Sequence, residues 1–435
     1  MLRRKVTDRL LSWKNNSNKA LLVTGARQIG KSYAIRAFGK DNYASYFEAN
    51  LLLDAEARDV LIGAKNAVDF INRVALLADA PLVEGDTLIF VDEIQEYPQI
   101  VTLMKALVED GRFSYVFSGS MLGTEFKGIS SFPVGYVEHI VMRPMDFEEF
   151  CWANSISENV LADIRSCLVE RRPVENYIHE AMLKNFRAYI VCGGMPEVVQ
   201  NYIDSGYSLV RTRELQIQLV DQYKSDISKY ASTRAFNVRA IFEQIPVQLE
   251  AESHRFVVSS LGEGARLQKY EQDFLWLVNA GVGLMVAQVT EARAPRAIDI
   301  VLYDLRHAVY LDMKTPNLGG LYENVVAQEL VALGADTWYY QTREVGEVDF
   351  VIEGARGHVV PIEVKSGKKV RAHAALDRLM SVGEYKIPEA VVLSHENLCK
   401  EGKILYVPIY MTFCLDEFME KDDPNNDFSF APISL

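Results

Sequence analysis

No stretch of this 435-residue sequence stays apolar for the roughly 20 residues that a membrane-spanning helix requires. A soluble chain with no membrane partner is expected. Cysteine is scarce. The five residues Cys151, Cys167, Cys192, Cys399 and Cys414 are odd in number, widely spaced and without a CxxC pair, which argues against a disulfide framework or a zinc site. No apolar signal core follows the basic start Met1-Leu2-Arg3-Arg4-Lys5, since Asp8, Arg9, Lys14 and Asn15 break it up. These absences point to a reducing, cytoplasmic setting. Basic residues are also in deficit, 46 against 59 acidic ones, and the net charge of −13 confines any nucleic-acid contact to a local patch. There is no internal repeat and no low-complexity tract. With 49% apolar and 24% charged residues the chain has the balance of a folded protein, and its length suggests about two to four domains.

From Ala20 to Gly119 short apolar runs alternate with Gly-containing turns and amphipathic helices: Ala20 to Val23, Tyr46-Phe47, Thr87 to Val91 and Tyr115 to Phe117. Continuous apolar strands separated by helices predict a parallel sheet covered on both faces. From about Asp146 to Tyr230 the spacing turns helical, broken at Cys192-Gly193-Gly194-Met195-Pro196, and predicts a helical lid. Thr233 to Val289 reads as two or three helices, the last near Tyr270 to Ala280, and then a weakly alternating wing from Val282 to Val289. After Pro295 the texture becomes β-rich, with strands at Ile298 to Tyr303, Trp338 to Gln341, Val348 to Ile352 and Val359 to Val364 around a helix at Gly320 to Leu333. Beyond Glu420 the chain is polar and loose.

The segment Gly25-Ala26-Arg27-Gln28-Ile29-Gly30-Lys31-Ser32 follows an apolar strand and opens a helix, the context in which GxxxxGK[ST] is a phosphate cradle. Its glycines let the loop curl so that backbone N–H groups and the helix dipole face phosphate, and Lys31 meets the β- and γ-phosphates. Ser32 is the expected Mg²⁺ ligand, with Asp92 at the end of the strand Leu88 to Val91 holding the same ion. Glu93 stands beside it as the base for attacking water, with a surface carboxylate as the bland alternative. On the next strand Ser118 or Ser120 is placed to sense the γ-phosphate. Arg27 is read either as a phosphate or cross-protomer contact or as a solvated charge.

A second constellation lies near the C-terminus. Asp349 sits in Val348 to Ile352, while Glu363 and Lys365 share one side of the strand Val360 to Ser366. Two carboxylates and a lysine suit metal-dependent phosphodiester cleavage, with Glu323 on the preceding helix as a third acid. The same pattern is also an ordinary ion pair. Lys368, Lys369 and Arg371 add a basic patch or a solvated loop.

The Gly25 to Ser32 loop, Val91 to Gln95, Phe117 to Ser120, Pro144 to Phe150 and Gly193 to Glu197 together resemble a prokaryotic family of AAA-type P-loop ATPases carrying a C-terminal domain of unknown function. Leu321 to Leu330, Glu347 to Phe350 and Pro361 to Ser366 extend the resemblance over nearly the whole chain. That C-terminal domain is similar to the PD-(D/E)xK nuclease fold, which puts Asp349, Glu363 and Lys365 at its signature positions and Glu323 at its helix acid. The resemblance implies an α/β protein, with an AAA-type P-loop NTPase domain over residues 1–145, a helical lid over 146–230, a winged-helix-like module over 231–295 and a restriction-endonuclease-like α+β domain over 296–435. It also implies ATP and Mg²⁺, a homo-oligomer, and DNA or a protein as partner. Where the family shows Gly-Arg this chain has Gly135-Tyr136, so Arg143 is the substitute candidate for an arginine finger and that assignment stays open. Three functions follow: a Mg²⁺-ATPase acting as a conformational switch, an ATP-gated nuclease, and a nucleotide-bound scaffold with little turnover.

Overall fold

A run of uninterrupted apolar residues makes a stable strand only where both faces are covered, and Ala20–Gly25 and Thr87–Asp92 are buried along their whole length. In the computed structural model, which describes residues 2–120, 133, 135–249, 256–292, 300–304 and 318–419, these runs are β1 and β3 of a parallel sheet. The chain proceeds as α1 (Val6–Asn16), β1, α2 (Lys31–Asn42), β2 (Ser45–Asn50), α3 (Ala55–Ile62), α4 (Ala67–Leu77), β3, α5 (Ile100–Asp110), β4 (Ser114–Ser120) and β5 (Val137–Val141). The strand order is β2-β3-β4-β1-β5, so β4 separates the phosphate-loop strand β1 from β3. Residues of α3, α4 and α5 pack one face and residues of α1 and α2 the other. Asp54 and Asn66 cap α3 and α4 by accepting from the Ala57 and Asp69 amides.

Five helices follow: α6 (Phe147–Ala153), α7 (Glu158–Glu170), α8 (Asn176–Cys192), α9 (Pro196–Asp204) and α10 (Leu209–Tyr230). Then come α11 (Ala235–Leu249), α12 (Leu267–Asn279), β6 (Gly283–Val289), β7 (Ile300–Asp304), α13 (Leu318–Ala332), β8 (Thr337–Thr342), β9 (Gly346–Glu353), β10 (Val359–Val364), α14 (Ala374–Ser381), β11 (Ala390–Ser394), β12 (Cys399–Glu401) and β13 (Ile404–Pro408). β6 to β13 form one mixed eight-stranded sheet. The strand expected as a wing is therefore a member of this sheet: β6 pairs antiparallel with β7 and parallel with β8. A boundary at 295 passes between hydrogen-bonded strands, because the weakly alternating segment is a largely buried member of the sheet. The tail beyond Glu420 lies outside the described residues.

One hydrophobic core runs without a break from the lid into the C-terminal sheet, taking in Phe147, Phe186, Phe242, Val325, Phe350 and Phe413. Polar contacts seal the same joint. Arg171 pairs with Glu389 at 2.6 Å, and Asn397 exchanges hydrogen bonds of 3.0 and 2.7 Å with the Val174 backbone. Burial of this extent makes lid and C-terminal sheet one mechanical unit.

Within the joint, Glu329 of α13 accepts from the Phe147 amide at 3.1 Å and touches the Tyr189 hydroxyl at 2.8 Å, while that hydroxyl also lies 2.9 Å from the Met145 carbonyl. A single phenolic proton cannot serve both acceptors, so a protonated Glu329 donating to Tyr189 satisfies the set. Burial, and then the charge of Asp146, push the Glu329 carboxyl up to about 8 from an ordinary 4.5. The folded state thus holds a proton that the unfolded chain releases. Its stabilising contribution is complete below about pH 4.5 and declines as pH climbs toward 8, by up to about 1.4 kcal/mol per pH unit. Glu329→Gln keeps both a donor and an acceptor, and it is expected to flatten the fall in urea midpoint between pH 5 and 8 that the wild type shows.

Candidate functional site

The loop after β1 needs backbone shapes that side chains resist. Gly25 has φ +149°, and a Cβ there would stand 2.2 Å from the Met142 carbonyl oxygen, so only glycine fits. Gly30, with φ 86°, is the N-cap of α2 and turns the chain into the helix that carries Lys31 and Ser32. Lys31 is buried and donates to the carbonyls of Gly25 at 3.1 Å and Ala26 at 2.9 Å. Burial holds its pKa below the usual lysine value despite the nearby Glu93 and Asp92.

Asp92, at the buried end of β3, is the hub. One oxygen, Oδ2, accepts from Ser32 Oγ at 2.7 Å and from Asn50 Nδ2 at 2.8 Å. The other accepts from the Glu93 amide at 3.0 Å and from Ser118 Oγ. Adjacent ligands of an octahedral Mg²⁺ stand about 3 Å apart. The Ser32 hydroxyl and the Asp92 carboxylate, 2.7 Å apart, fit that ion with a shift of tenths of an ångström. Glu93 adopts a left-handed backbone, φ 58° and ψ 47°, which is strained for a non-glycine residue and marks sites where side-chain aim matters. Gln95 Nε2 donates to its carboxylate.

A cleft of about 610 Å³, large enough for a nucleotide, is lined by Lys31, Ser32, Tyr33 and Glu93 on one wall and by Gln222, Tyr223 and Asp226 of α10 on the other. The lid grips the loop directly. Arg27 pairs with Asp226 at 2.6 Å, Tyr223 Oη donates to the Arg27 carbonyl at 2.8 Å, and Gln28 bonds Gln222.

The structure thus brings Gly25 to Ser32, Asp92 and Glu93 together. It places Ser118 against Asp92 in place of the γ-phosphate, because the hydroxyl is buried behind the carboxylate. The Ser120 side chain lies outside the described residues. Arg27 is paired with the lid and lines the nucleotide cleft. Arg143 does not line the nucleotide cleft. Sequence reading missed Asn50, whose only signal is an amide at a strand end beside Asp92, and Arg4. Arg4 is buried, pairs with Glu149 at 3.0 Å and donates to the Ile29 carbonyl at 2.9 Å and the Arg143 carbonyl at 2.7 Å, which ties the phosphate loop to β5 and α6.

Residues 17–151 match a family described as an AAA domain. The chain carries an AAA-type P-loop ATPase domain. Residues 318–411 match a domain of unknown function, DUF4143, and residues 183–300 match another, DUF8612, which spans the end of the lid and the segment after it. No curated protein is a significant match to the sequence. Among solved structures, the Walker-type ATPase PABY2304 of Pyrococcus abyssi shares 15% identity at a TM-score of 0.44, over 72% of this chain and 96% of that one. A Thermotoga maritima RuvB variant shares 12% at 0.32, over 72% and 95%. Drosophila ORC bound to DNA shares 13% at 0.29, over 65% and 82%. The phosphate loop, Asp92 and Glu93 all lie inside the AAA domain, whose class binds and hydrolyses nucleotide. Among the described residues no helix is long and apolar enough to cross a membrane.

In the C-terminal sheet the antiparallel register Ile362↔Phe350, continued by one residue, sets Glu363 opposite Asp349. Burial, then Glu363 and Glu323, push the Asp349 carboxyl well above the ordinary range; burial also raises Glu363, against the pull of Lys365. Lys365 Nζ donates to Glu363 Oε1 at 2.6 Å, the Val364 amide donates to Asp349 Oδ2 at 2.7 Å, and Glu363 Oε2 is buried without a partner. Glu323 is an electrostatic neighbour of the pair, and among the described residues no group of three His, Cys, Asp or Glu is placed to hold a metal ion. One member of the neighbouring basic patch is paired. Arg371 pairs with Glu396 and Glu401 and stacks on Tyr406 at 3.6 Å, which leaves Lys368 and Lys369 exposed beside it.

Proposed function

We propose that the chain is a cytoplasmic, Mg²⁺-dependent ATPase that acts as a nucleotide-driven conformational switch on a DNA or protein partner. The observation that carries this reading is the double engagement of the lid. Through Tyr223 and Asp226 it holds the phosphate loop, and through a continuous core it holds the C-terminal sheet.

ATP entering the cleft offers its phosphates to the loop amides and to Lys31, which exchanges the Gly25 and Ala26 carbonyls for phosphate oxygens. Phosphate also competes with Asp226 for Arg27, since a guanidinium binds phosphate bidentately. That competition loosens α10 from the loop and moves everything packed behind it. Ser32 and Asp92 would hold Mg²⁺, which supplies charge neutralisation at the β- and γ-phosphates. Glu93 takes the proton of the attacking water as the water oxygen bonds to the γ-phosphorus and the β–γ bridging bond breaks, giving ADP and phosphate.

A metal-dependent nuclease gated by ATP is the second reading, favoured by the opposed Asp349 and Glu363 and by the unpartnered, buried Oε2 of Glu363. One experiment separates the readings: phosphate release from ATP with Mg²⁺ and plasmid, for wild type, Lys31→Ala and Asp349→Ala. The switch gives turnover that falls by roughly a hundredfold or more in Lys31→Ala, with intact plasmid. Nicking lost in Asp349→Ala supports the nuclease, and wild-type binding without turnover supports the scaffold.

A further inference from the structure

A second cleft, of about 380 Å³, lies between α1, the exit of β5 and the end of α13, and shares no lining residue with the nucleotide cleft. Its acids are already engaged. Asp146 pairs with Lys5 at 2.6 Å and Glu149 with Arg4 at 3.0 Å. Its remaining cations are not. Among the described residues the guanidinium groups of Arg143 and Arg9, both in the cleft wall, have no hydrogen bond and no ion pair. His139 stands on the same wall, its Nε2 2.6 Å from Thr24 Oγ1. Arg143 is half-buried, and its partial desolvation pulls its pKa below the usual arginine value. A half-buried guanidinium with no acceptor is unfavourable, and with Arg9 exposed on the same wall the cleft presents two arginine forks whose donors the chain leaves open to a ligand.

We propose that this cleft is a second ligand site, which binds a small phosphate-bearing anion through Arg143 and Arg9. Guanidinium groups are suited to phosphate because their planar fork donates two parallel hydrogen bonds to it. The cleft volume falls within the range of small-molecule sites. Val6, Ile140 and Val331 provide an apolar wall for the remainder of such a ligand. The anion bridges the AAA domain, through β5, to α13 of the C-terminal domain, so its occupancy reports on the joint that the lid also crosses.

The test begins with protein saturated with Mg²⁺ and a non-hydrolysable ATP analogue, so that the phosphate loop is filled. Inorganic tripolyphosphate is then titrated in, with Mg²⁺ in excess, by calorimetry. A further saturable binding event is expected in the wild type. It weakens by about tenfold or more in Arg143→Ala and in Arg9→Ala, and by less in Arg143→Lys, which keeps the charge without the fork. It is unchanged in Lys14→Ala, whose ammonium lies away from the cleft against Tyr43. Thermal melting shows that each variant is folded. The proposal is overturned by the absence of a further event, or by one that both arginine variants leave intact. It is overturned equally if Arg143→Ala weakens the ATP analogue and no second event exists, because the cleft then belongs to the nucleotide. Failure of ATP hydrolysis leaves this binding test readable.

Discussion

Glu93→Gln is expected to slow phosphate release by roughly two to three orders of magnitude, the usual contribution of a general base, while ATP affinity stays within about threefold of wild type. The substitution keeps size and polarity, and Gln95 still has a partner at that position. Asp92, Ser32 and the loop amides, which make up the binding surface, are untouched. What disappears is the group that takes the water proton. Steady-state phosphate release and titration of a fluorescent ATP analogue check the two halves separately. Equal losses in both would instead make Glu93 a structural residue, holding its strained backbone turn for the sake of Asp92.

Arg4→Ala carries the largest expected loss of stability. Its guanidinium and the Glu149 carboxylate are among the most deeply buried ionic groups in the AAA domain, with side-chain exposures of 9% and 5%. Removing one partner of such a pair costs about 3 to 5 kcal/mol, because the other is left charged and desolvated. Burial already raises the Glu149 carboxyl above its usual range, so in the variant it takes up a proton and the deficit narrows toward acid pH. Two carbonyls, of Ile29 and Arg143, also lose their donor. The first belongs to the phosphate loop, so ATP affinity should drop by about tenfold or more with it, on the scale of a charge-assisted hydrogen bond. Urea unfolding and nucleotide titration measure the two effects. A variant as stable as wild type would show that Arg4 sits at the site without bracing it.

The parts of this molecule that were readable in sequence share one property: local chemistry decided them. The phosphate loop needs its glycines at Gly25 and Gly30, its lysine and its serine in sequence, and β3 needs an apolar run ending in Asp92. Helix α13 and strands β8 to β10 were likewise marked by period and composition. The misread parts depend on distance in sequence. Arg4 looked like one member of a basic start, yet its partners are 25, 139 and 145 residues away. Ser118 could be placed on the right strand, but only the sheet order shows that its hydroxyl meets Asp92. The strand read as a wing shows the same limit. A single alternating strand carries no information about its partners, and β6 found them in β7 and β8. Arg27 was ambiguous until the lid supplied Asp226, 199 residues downstream.

The central claim is that nucleotide in the phosphate-loop cleft moves the lid and C-terminal sheet as one body. Cys399 is the one exposed cysteine, the other four being buried. It accepts a dye on the C-terminal domain, and Lys65→Cys, at an exposed loop position of the AAA domain, accepts its partner. Energy transfer between them, measured in a Glu93→Gln background so that ATP persists, should shift when ATP and Mg²⁺ are added and return when ADP replaces them. The same addition should leave Lys31→Ala unmoved. Transfer that stays constant through apo, ATP and ADP states, in protein shown to bind ATP, would contradict the switch.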